Sequence, residues 1–226
     1  MRHKAICGKR SHSHTVTMTQ DPGCSSPEGD DQGAQQALKE QATRSPDSHV
    51  RRYSLSILGN EPDPRHKGIF LSALRDPDKE TRAQATAALA ALGDDVVPSL
   101  VVLLSDTDWK VRYRAAEALG EIRSSKSVQA LIGALSDEKD HVRYMAAKAL
   151  GEIGDRGAVP ALIGTLGDEN PFVRKAAVLS LGKIGDNSGK EAVRVLSKGE
   201  RIDIVREAIQ CVLPEESQGN RRDRPV

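Results

Sequence analysis

The strongest constraint on the fold is a short apolar and charged segment that recurs at a nearly constant interval. Its clearest copies occupy residues 111–122, 142–155 and 173–186, and each begins 31 residues after the one before. Weaker copies begin at Val50, Thr81 and Val205, and the remaining steps are 31, 30 and 32 residues. A repeat of this length is typical of solenoids, in which each unit is one supersecondary element that packs on its neighbours.

Each unit contains two apolar stripes with helical spacing, and the fourth unit shows them most clearly. We expect Ser127 to cap its first helix and residues 136–140 to form a polar turn. The stripe of the first helix consists of Val128, Leu131, Ile132 and Leu135, and that of the second of Val142, Met145 or Ala146, Ala149, Leu150 and Ile153. Neither helix can bury its stripe alone. The pattern therefore predicts an all-α fold, an α-solenoid (alpha-alpha superhelix) of about six two-helix repeats.

The two ends of the chain differ in composition from the repeats. Residues 1–31 lack helical periodicity and are rich in Ser, Thr, His, Gly, Asp and Pro, so we predict a disordered tail. We assign residues 32–216 to the repeat domain and residues 217–226 to a second disordered tail. Acidic residues begin only after Met18, and one explanation is that translation starts there. His12 and His14 form a possible metal-binding pair, although nothing in the sequence fixes their geometry.

Charge and composition argue against several classes of protein. No apolar run reaches the roughly 20 residues that a membrane helix needs, so we expect a soluble, cytoplasmic protein. The three cysteines lack the spacing of a zinc site or a disulfide framework. Residues 45–213 carry 24 Lys and Arg against 24 Asp and Glu, and this balance disfavours nucleic-acid binding.

The repeats resemble a known family. The pattern D-x-D/E-x-x-V-R-x-x-A-A-x-A-L-G-x-I-G-D, followed by A-V-P-x-L-I-x-x-L, is similar to the short HEAT repeat of the phycobilisome-lyase HEAT-like family. The resemblance covers roughly residues 45–213 and weakens at the ends, where for example Ala90 replaces the glycine of the A-L-G step. It implies that the second helices line a concave face. It also implies kinship with subunits that attach bilin chromophores.

An acidic residue and an arginine recur together at the turn of each unit. The pairs are six residues apart, which places the acid in the turn and the arginine at the start of the second helix. Because an arginine fork suits carboxylates and turn carbonyls, we predict a structural ladder rather than an anion-binding track. The pairs are Asp76 with Arg82, Asp106 with Arg112, Asp137 with Arg143, and Asp168 with Arg174. Glu200 and Arg206 keep the spacing in the last unit, whereas Ser45 replaces the acid in the first.

The predicted exposed face comprises the places two, three, six and ten residues after each Val. In the three clearest units these are Tyr113, Arg114, Glu117 and Glu121; Tyr144, Met145, Lys148 and Glu152; and Lys175, Ala176, Leu179 and Lys183. All except Glu121, Glu152 and Ala176 form the predicted partner-binding surface, because Tyr and Arg are enriched in binding hot spots. The alternative is that the tyrosine rings only cover the seams between repeats.

We therefore predict a non-catalytic scaffold that binds a protein or peptide on its concave face, without a cofactor, metal, membrane or small-molecule substrate. The alternatives are a subunit or chaperone-like component of a bilin lyase and, less favoured, a nucleic-acid-binding HEAT-like protein. Trp109, His141 and Phe172 are expected to pack at the turns rather than bind a ligand. Cys211 has no histidine near it in sequence, which argues against a nucleophile.

Overall fold

The computed structural model describes residues 27–214, with side chains from residue 32 onward. Within these residues there are twelve α-helices and no strand, so the predicted all-α solenoid of six two-helix units is confirmed. The pairs are α1 (Pro27–Arg44) with α2 (Ser48–Asn60), α3 (Lys67–Ala73) with α4 (Lys79–Ala91), α5 (Val97–Leu103) with α6 (Trp109–Ile122), α7 (Val128–Ala134) with α8 (Asp140–Ile153), α9 (Val159–Thr165) with α10 (Pro171–Ile184), and α11 (Asn187–Ser197) with α12 (Asp203–Val212).

The ends of the repeat array differ in part from the expectation. Helix α1 begins at Pro27, earlier than the predicted boundary at residue 32. The proposed start at Met18, the His12 and His14 pair, and the tail at residues 217–226 lie outside the described residues. Among the described helices, none is both long and apolar enough to cross a lipid bilayer.

Four of the second helices begin at a side chain that satisfies a free backbone N–H, and two second helices end at glycine. The side chains of Asp47, Asp78, Asp108 and Asn170 each accept a hydrogen bond from a backbone N–H in the first turn of α2, α4, α6 and α10. Helices α8 and α10 end at glycines with positive φ, which is the conformation that glycine adopts most readily. The expected cap at Ser127 is wrong, because its hydroxyl donates to the Ser124 carbonyl instead of accepting from α7.

The second helices of neighbouring units pack directly on one another, and a glycine allows the close approach. A Cβ at Gly120 of α6 would lie 2.8 Å from the Cβ of Ala149 in α8. A Cβ at Gly151 of α8 would likewise lie 2.8 Å from the Cα of Ser180 in α10. The hydroxyl of Ser180 also donates across this interface to the Ala147 carbonyl at 2.8 Å. The A-L-G step of the repeat is therefore a contact between units.

The pairing of α4 with α6 is less extensive than that of α6 with α8 or α8 with α10. At this position of α4 the chain has Ala90, where α6 and α8 have glycine. The methyl group of Ala90 occupies space that, beside the two glycines, is filled by a residue of the next helix. We attribute the looser contact between α4 and α6 to this methyl group.

The close contact between α8 and α10 gives a direct test. We expect Gly151→Ala to lower the free energy of unfolding by about 2 kcal/mol, because the new methyl group overpacks the interface and displaces Ser180. Gly133→Ala is the matched control: a Cβ at Gly133 in α7 would have no atom within 4 Å, so alanine should stabilise the protein by about 0.5 kcal/mol. Urea denaturation of both variants measures the difference. Equal effects would contradict the proposed role of Gly151.

Candidate functional site

The arginine ladder links successive units. The Nε and Nη2 atoms of Arg112 donate to the Asp137 carboxylate of the next unit at 2.7 and 2.8 Å. Its Nη1 atom donates to the backbone carbonyl of Asp106 in its own unit at 2.8 Å. Each predicted pair within one unit is thus made through the backbone carbonyl of the acid rather than through its carboxylate. The arginine takes a carbonyl from its own turn and a carboxylate from the following turn.

The same geometry recurs along the chain. Arg51 binds Asp76, Arg143 binds Asp168 and Arg174 binds Glu200, each as a two-pronged contact to a carboxylate of the next unit. In the first unit Ser45 can stand in place of the acid, because Arg51 contacts only the Ser45 backbone carbonyl, at 2.8 Å. In the last unit Glu200 belongs with Arg174, and Arg206 instead contacts Asp203 at 3.5 Å.

The turn acids also hold their own backbone. Asp106, Asp137 and Asp168 each accept a hydrogen bond from the N–H two residues further on, at 2.8 to 3.0 Å. A short carboxylate is suited to this turn, because its remaining lone pairs stay available to an arginine donor. Hydrogen bonds from Arg112 and the Lys139 N–H outweigh the effect of burial and keep the pKa of Asp137 below its ordinary value.

Arg82 departs from the pattern. Its Nη1 atom donates to the carbonyls of Asp76 and Pro77 at 2.6 and 2.9 Å, as in the other units. The Asp106 carboxylate, its expected partner in the next unit, is instead bound by Arg75. Within residues 27–214 no carboxylate pairs with the Arg82 guanidinium. This missing contact coincides with the looser packing between α4 and α6.

The predicted partner-binding surface is only partly exposed. Met145 is 3% exposed and Ala176 is 5% exposed, so their predicted exposure is wrong. Both face the second helix of the preceding unit. Met145 lies one turn before Ala149, which meets Gly120 of α6, and Ala176 lies one turn before Ser180, which meets Gly151 of α8. Tyr113, Tyr144 and Leu179 are half-buried and pack against the core, whereas Lys148 and Lys183 are exposed.

Several charges of this surface pair with one another. Arg114 contacts Glu117 at 2.6 Å and lies over the Tyr113 ring, 5.6 Å from its centroid. Lys183 contacts Glu152 at 2.5 Å. Lys175 is half-buried on the first turns of α10. The face is therefore a network of intramolecular contacts with a limited number of free charges.

An acidic groove of about 380 Å³ lies between α6 and α8. Glu117, Glu121, Lys148 and Glu152 line it above a floor that includes Gly120. Burial, helped by the nearby Glu117 carboxylate, raises the pKa of Glu121, although this residue as a whole remains exposed. The spacing of the repeat places Glu121 on the exposed face, but its groove could not be predicted without the approach of α8.

A row of aromatic rings crosses the first turns of three successive second helices. The rings of Trp109 and His141 lie 5.2 Å apart, and Phe172 is 58% exposed. Trp109 packs partly against the core as expected at a turn, whereas Phe172 projects into solvent.

Two cavities meet at His141. The basic pocket, of about 260 Å³, is lined by Lys79, Arg82, Trp109, Lys110, Tyr113, Arg114 and His141. The apolar pocket, of about 370 Å³, is lined by Asp140, His141, Tyr144, Asn170, Phe172 and Val173.

The sequence pattern predicted only part of this row of rings as a binding surface. Tyr113 and Tyr144, two places after each Val, were predicted to be part of the surface. Trp109, His141 and Phe172 were expected to pack at the turns, and Lys79 and Lys110 were not predicted to take part. The available signal was the recurrence of rings one or two places before the Val of three consecutive units. Since helical neighbours lie three or four residues apart, Trp109 shares a face with Tyr113, and His141 with Tyr144.

Candidate metal ligands, the thiol of Cys211 and the ring of His66 can be located among the described residues. No group of three or more His, Cys, Asp or Glu side chains within them could hold a metal ion. Cys211 is an exposed free thiol on α12. His66 is 4% exposed, neither of its ring nitrogens has a hydrogen-bond partner, and it lies edge-on to Phe70. His66 is therefore a core residue.

Comparison with known proteins identifies the repeats. A family model of HEAT repeats matches residues 35–101, 69–143, 97–164 and 134–213, which together span most of the chain. Comparison with curated proteins gives no significant match.

Several solved structures are similar to this chain. The CpcE and CpcF complex of phycocyanin lyase from Nostoc sp. PCC7120 has a chain with 21% identity and a TM-score of 0.63, and the match covers 67% of this protein and 99% of that chain. Human deoxyhypusine hydroxylase in complex with glycerol has 23% identity, a TM-score of 0.48, and coverage of 81% and 73%. Computationally designed armadillo repeat proteins for modular peptide recognition have 20% identity, a TM-score of 0.47, and coverage of 79% and 98%. The family model and the phycocyanin lyase chain confirm the predicted HEAT-like resemblance, and at 21% identity that chain establishes the fold alone.

The ladder gives a second prediction. We expect Arg143→Ala to lower the free energy of unfolding by about 3 kcal/mol, because it leaves the Asp168 carboxylate and the Asp137 carbonyl without their donor in a largely buried site. Arg206→Ala is the control, since its ion pair with Asp203 is exposed and should contribute at most about 1 kcal/mol. Chemical denaturation at pH 7 measures both. A cost for Arg143→Ala no greater than that of the control would contradict the structural role of the ladder.

The last contact of the ladder predicts a pH dependence. Hydrogen bonds from Arg174 and from the N–H groups of Arg201 and Ile202 lower the pKa of Glu200 from its ordinary 4.5, against the effect of burial. This stabilisation is complete above pH 4.5 and is lost as the pH falls through the lower pKa of the folded state. Glu200→Gln should therefore lower stability at pH 7 by about 1 to 2 kcal/mol and flatten its decline in acid. Glu207→Gln is the exposed control, and identical acid profiles for the two variants would refute the assignment.

Proposed function

Because the chain belongs to the HEAT-repeat family, we propose that it is a non-catalytic scaffold that binds a segment of a partner protein along its second helices. One observation carries the proposal: aromatic and charged side chains line adjoining cavities across the first turns of α4, α6, α8 and α10. Partly exposed aromatic rings beside arginine are the side chains most enriched in binding hot spots. We call this surface the aromatic face.

The geometry of the stack supports an extended ligand. Packed helices lie roughly 10 Å apart, and an extended chain advances roughly 3.3 Å per residue. About three residues of a bound segment would therefore span each step from one second helix to the next. The second helices also contact one another more extensively than the first helices do, and we expect a two-layered stack to curve toward its more closely packed layer. This curvature would place the aromatic face on the concave side, where a segment contacts several units at once.

The alternative is a role as a component of a bilin lyase. Its support is the fold shared with the CpcE and CpcF complex of phycocyanin lyase, and a shared fold does not determine function. Nucleic-acid binding is less favoured, because the 24 basic and 24 acidic residues of positions 45–213 balance and most ladder arginines are paired with carboxylates. Cytoplasmic localisation remains a prediction.

Affinity capture from a lysate of the native organism tests the proposal. We expect the double variant His141→Ala and Phe172→Ala to retain its partners at least tenfold less than the wild-type chain, because it removes two exposed rings that line the apolar pocket. The variant should keep its helical content, since both side chains are exposed.

The matched control removes exposed apolar side chains elsewhere. Val102 on α5 is 71% exposed and Val195 on α11 is 60% exposed, and both belong to first helices of their units. The variant Val102→Ala with Val195→Ala should retain the same partners as the wild-type chain. Partners kept by the aromatic-face variant and lost by this control would show that binding uses the first-helix layer. Absorption of a bound bilin in the captured material would favour the lyase alternative.

A further inference from the structure

The basic pocket differs from the rest of the aromatic face in its charge. Its cationic side chains are Lys79, Arg82, Lys110 and Arg114, and no carboxylate is among its lining residues. Arg114 is already paired with Glu117. Lys79 and Lys110 are exposed and have no ion-pair partner among residues 27–214. The pocket therefore holds three cations whose charge is not balanced by a direct partner.

Arg82 is the most informative of these cations, because the equivalent arginines of the ladder have a structural role. In four other units the equivalent arginine donates its Nε and Nη2 atoms to a carboxylate of the next unit, at 2.7 to 3.1 Å. In Arg82 these two donors have no carboxylate, because Arg75 binds Asp106. The carbonyls of Asp76 and Pro77 still hold the guanidinium in place. The Arg82 guanidinium is thus held in place with two donors that suit a carboxylate, and no carboxylate of the described residues binds them.

Four acids adjoin residues of the pocket in sequence. Glu80 is exposed, Asp140 contacts His141 at 2.7 Å, and the other two are helix caps. Asp78 accepts hydrogen bonds from the N–H and hydroxyl of Thr81, and Asp108 accepts from the Lys110 N–H as a helix cap. Both contacts compensate helix N-termini, and such termini themselves favour negative charge. The cap acids reduce the net positive charge around the pocket, but they leave the donors of Arg82 free.

The other walls of the pocket are aromatic. Trp109 and Tyr113 are half-buried, and His141 lies against Trp109 at the border with the apolar pocket. Apolar walls weaken the screening of a charge by water and strengthen its pairing with a cation. The cavity of about 260 Å³ has room for the end of a single side chain rather than for a run of phosphates. The adjoining apolar pocket has no lysine or arginine among its lining residues.

We propose that the basic pocket binds the carboxylate of an Asp or Glu in the partner segment, held by Arg82 with Lys79 and Lys110, and that the apolar pocket takes an apolar side chain of the same segment. The site rests on the proposed function, because it assigns a residue class to a ligand of the aromatic face. The two pockets lie one to two helix spacings apart, so the acidic and apolar residues would be about three to six positions apart in an extended segment.

The only tryptophan of the chain, Trp109, lines the pocket and reports on its occupancy. The probe is a peptide with an acetylated N-terminus and an amidated C-terminus. It has glutamate at positions 1 and 2 and phenylalanine at position 6. The control peptide has glutamine in place of both glutamates. We expect a saturable change in Trp109 fluorescence with the glutamate peptide. We expect binding at least tenfold weaker for the glutamine peptide and for the variant Arg82→Gln. Raising the salt concentration should weaken binding of the glutamate peptide only.

Arg156→Gln is the matched control, because it removes an exposed arginine from the turn before α9 and makes the same change in net charge. It should bind the glutamate peptide as the wild-type chain does. Equal affinity for the two peptides, no saturable change with the glutamate peptide, or binding unaffected by Arg82→Gln would overturn the proposal. So would a single-stranded oligonucleotide that binds more tightly than the glutamate peptide in an Arg82-dependent manner, since the site would then recognise phosphate.

The capture assay separates this inference from the function on which it rests. Partners lost from the His141→Ala and Phe172→Ala variant but retained by Arg82→Gln would leave the scaffold function intact and refute the carboxylate site. Partners retained by both variants would refute the aromatic face itself. Partners lost from both, with the Arg156→Gln control unaffected, would support the two proposals together. Circular dichroism of each variant confirms that the helices are preserved.

Discussion

The structure depends on the contact between successive second helices. No helix of a unit can bury its apolar stripe within that unit, so the core exists only where neighbours stack. Two devices hold this stack together. Glycines such as Gly120 and Gly151 allow the backbones to approach, and arginines such as Arg112 and Arg143 join the turn of one unit to the turn of the next. Both act between nearest neighbours, as expected for a quasi-one-dimensional fold.

The same devices explain why the candidate site lies where it does. Between α4 and α6 the glycine is replaced by Ala90 and the arginine of the ladder has lost its carboxylate. A unit interface that is less tightly packed leaves room for a pocket, and an arginine without its acid leaves donors for a ligand. The irregularity costs little, because Arg82 still holds its own turn through two carbonyls. Functional sites often coincide with such local departures from a structural pattern.

Three-dimensional context also changes the interpretation of individual residues. Met145 has the spacing of an exposed position, yet it is buried because it lies on the side of α8 that packs against α6. Asp106 has the spacing of a partner for Arg112, yet its carboxylate belongs to Arg75 and only its carbonyl meets Arg112. In both cases the deciding contact is made by a residue of another unit. Spacing within one unit contains no information about that contact.

The sequence by itself determined the helical class, the number and boundaries of most units, and the identity of the buried stripes. These follow from local periodicity, because apolar residues at helical spacing must face a core whatever its detailed shape. It also marked the recurring arginines and acids as structural. Only the tertiary structure decided which carboxylate meets which arginine, which rings line a common surface, and that Arg82 is left without an acid. Those properties depend on the distance and rotation between stacked helices, which are set by side-chain packing across units and not by the spacing of residues within them.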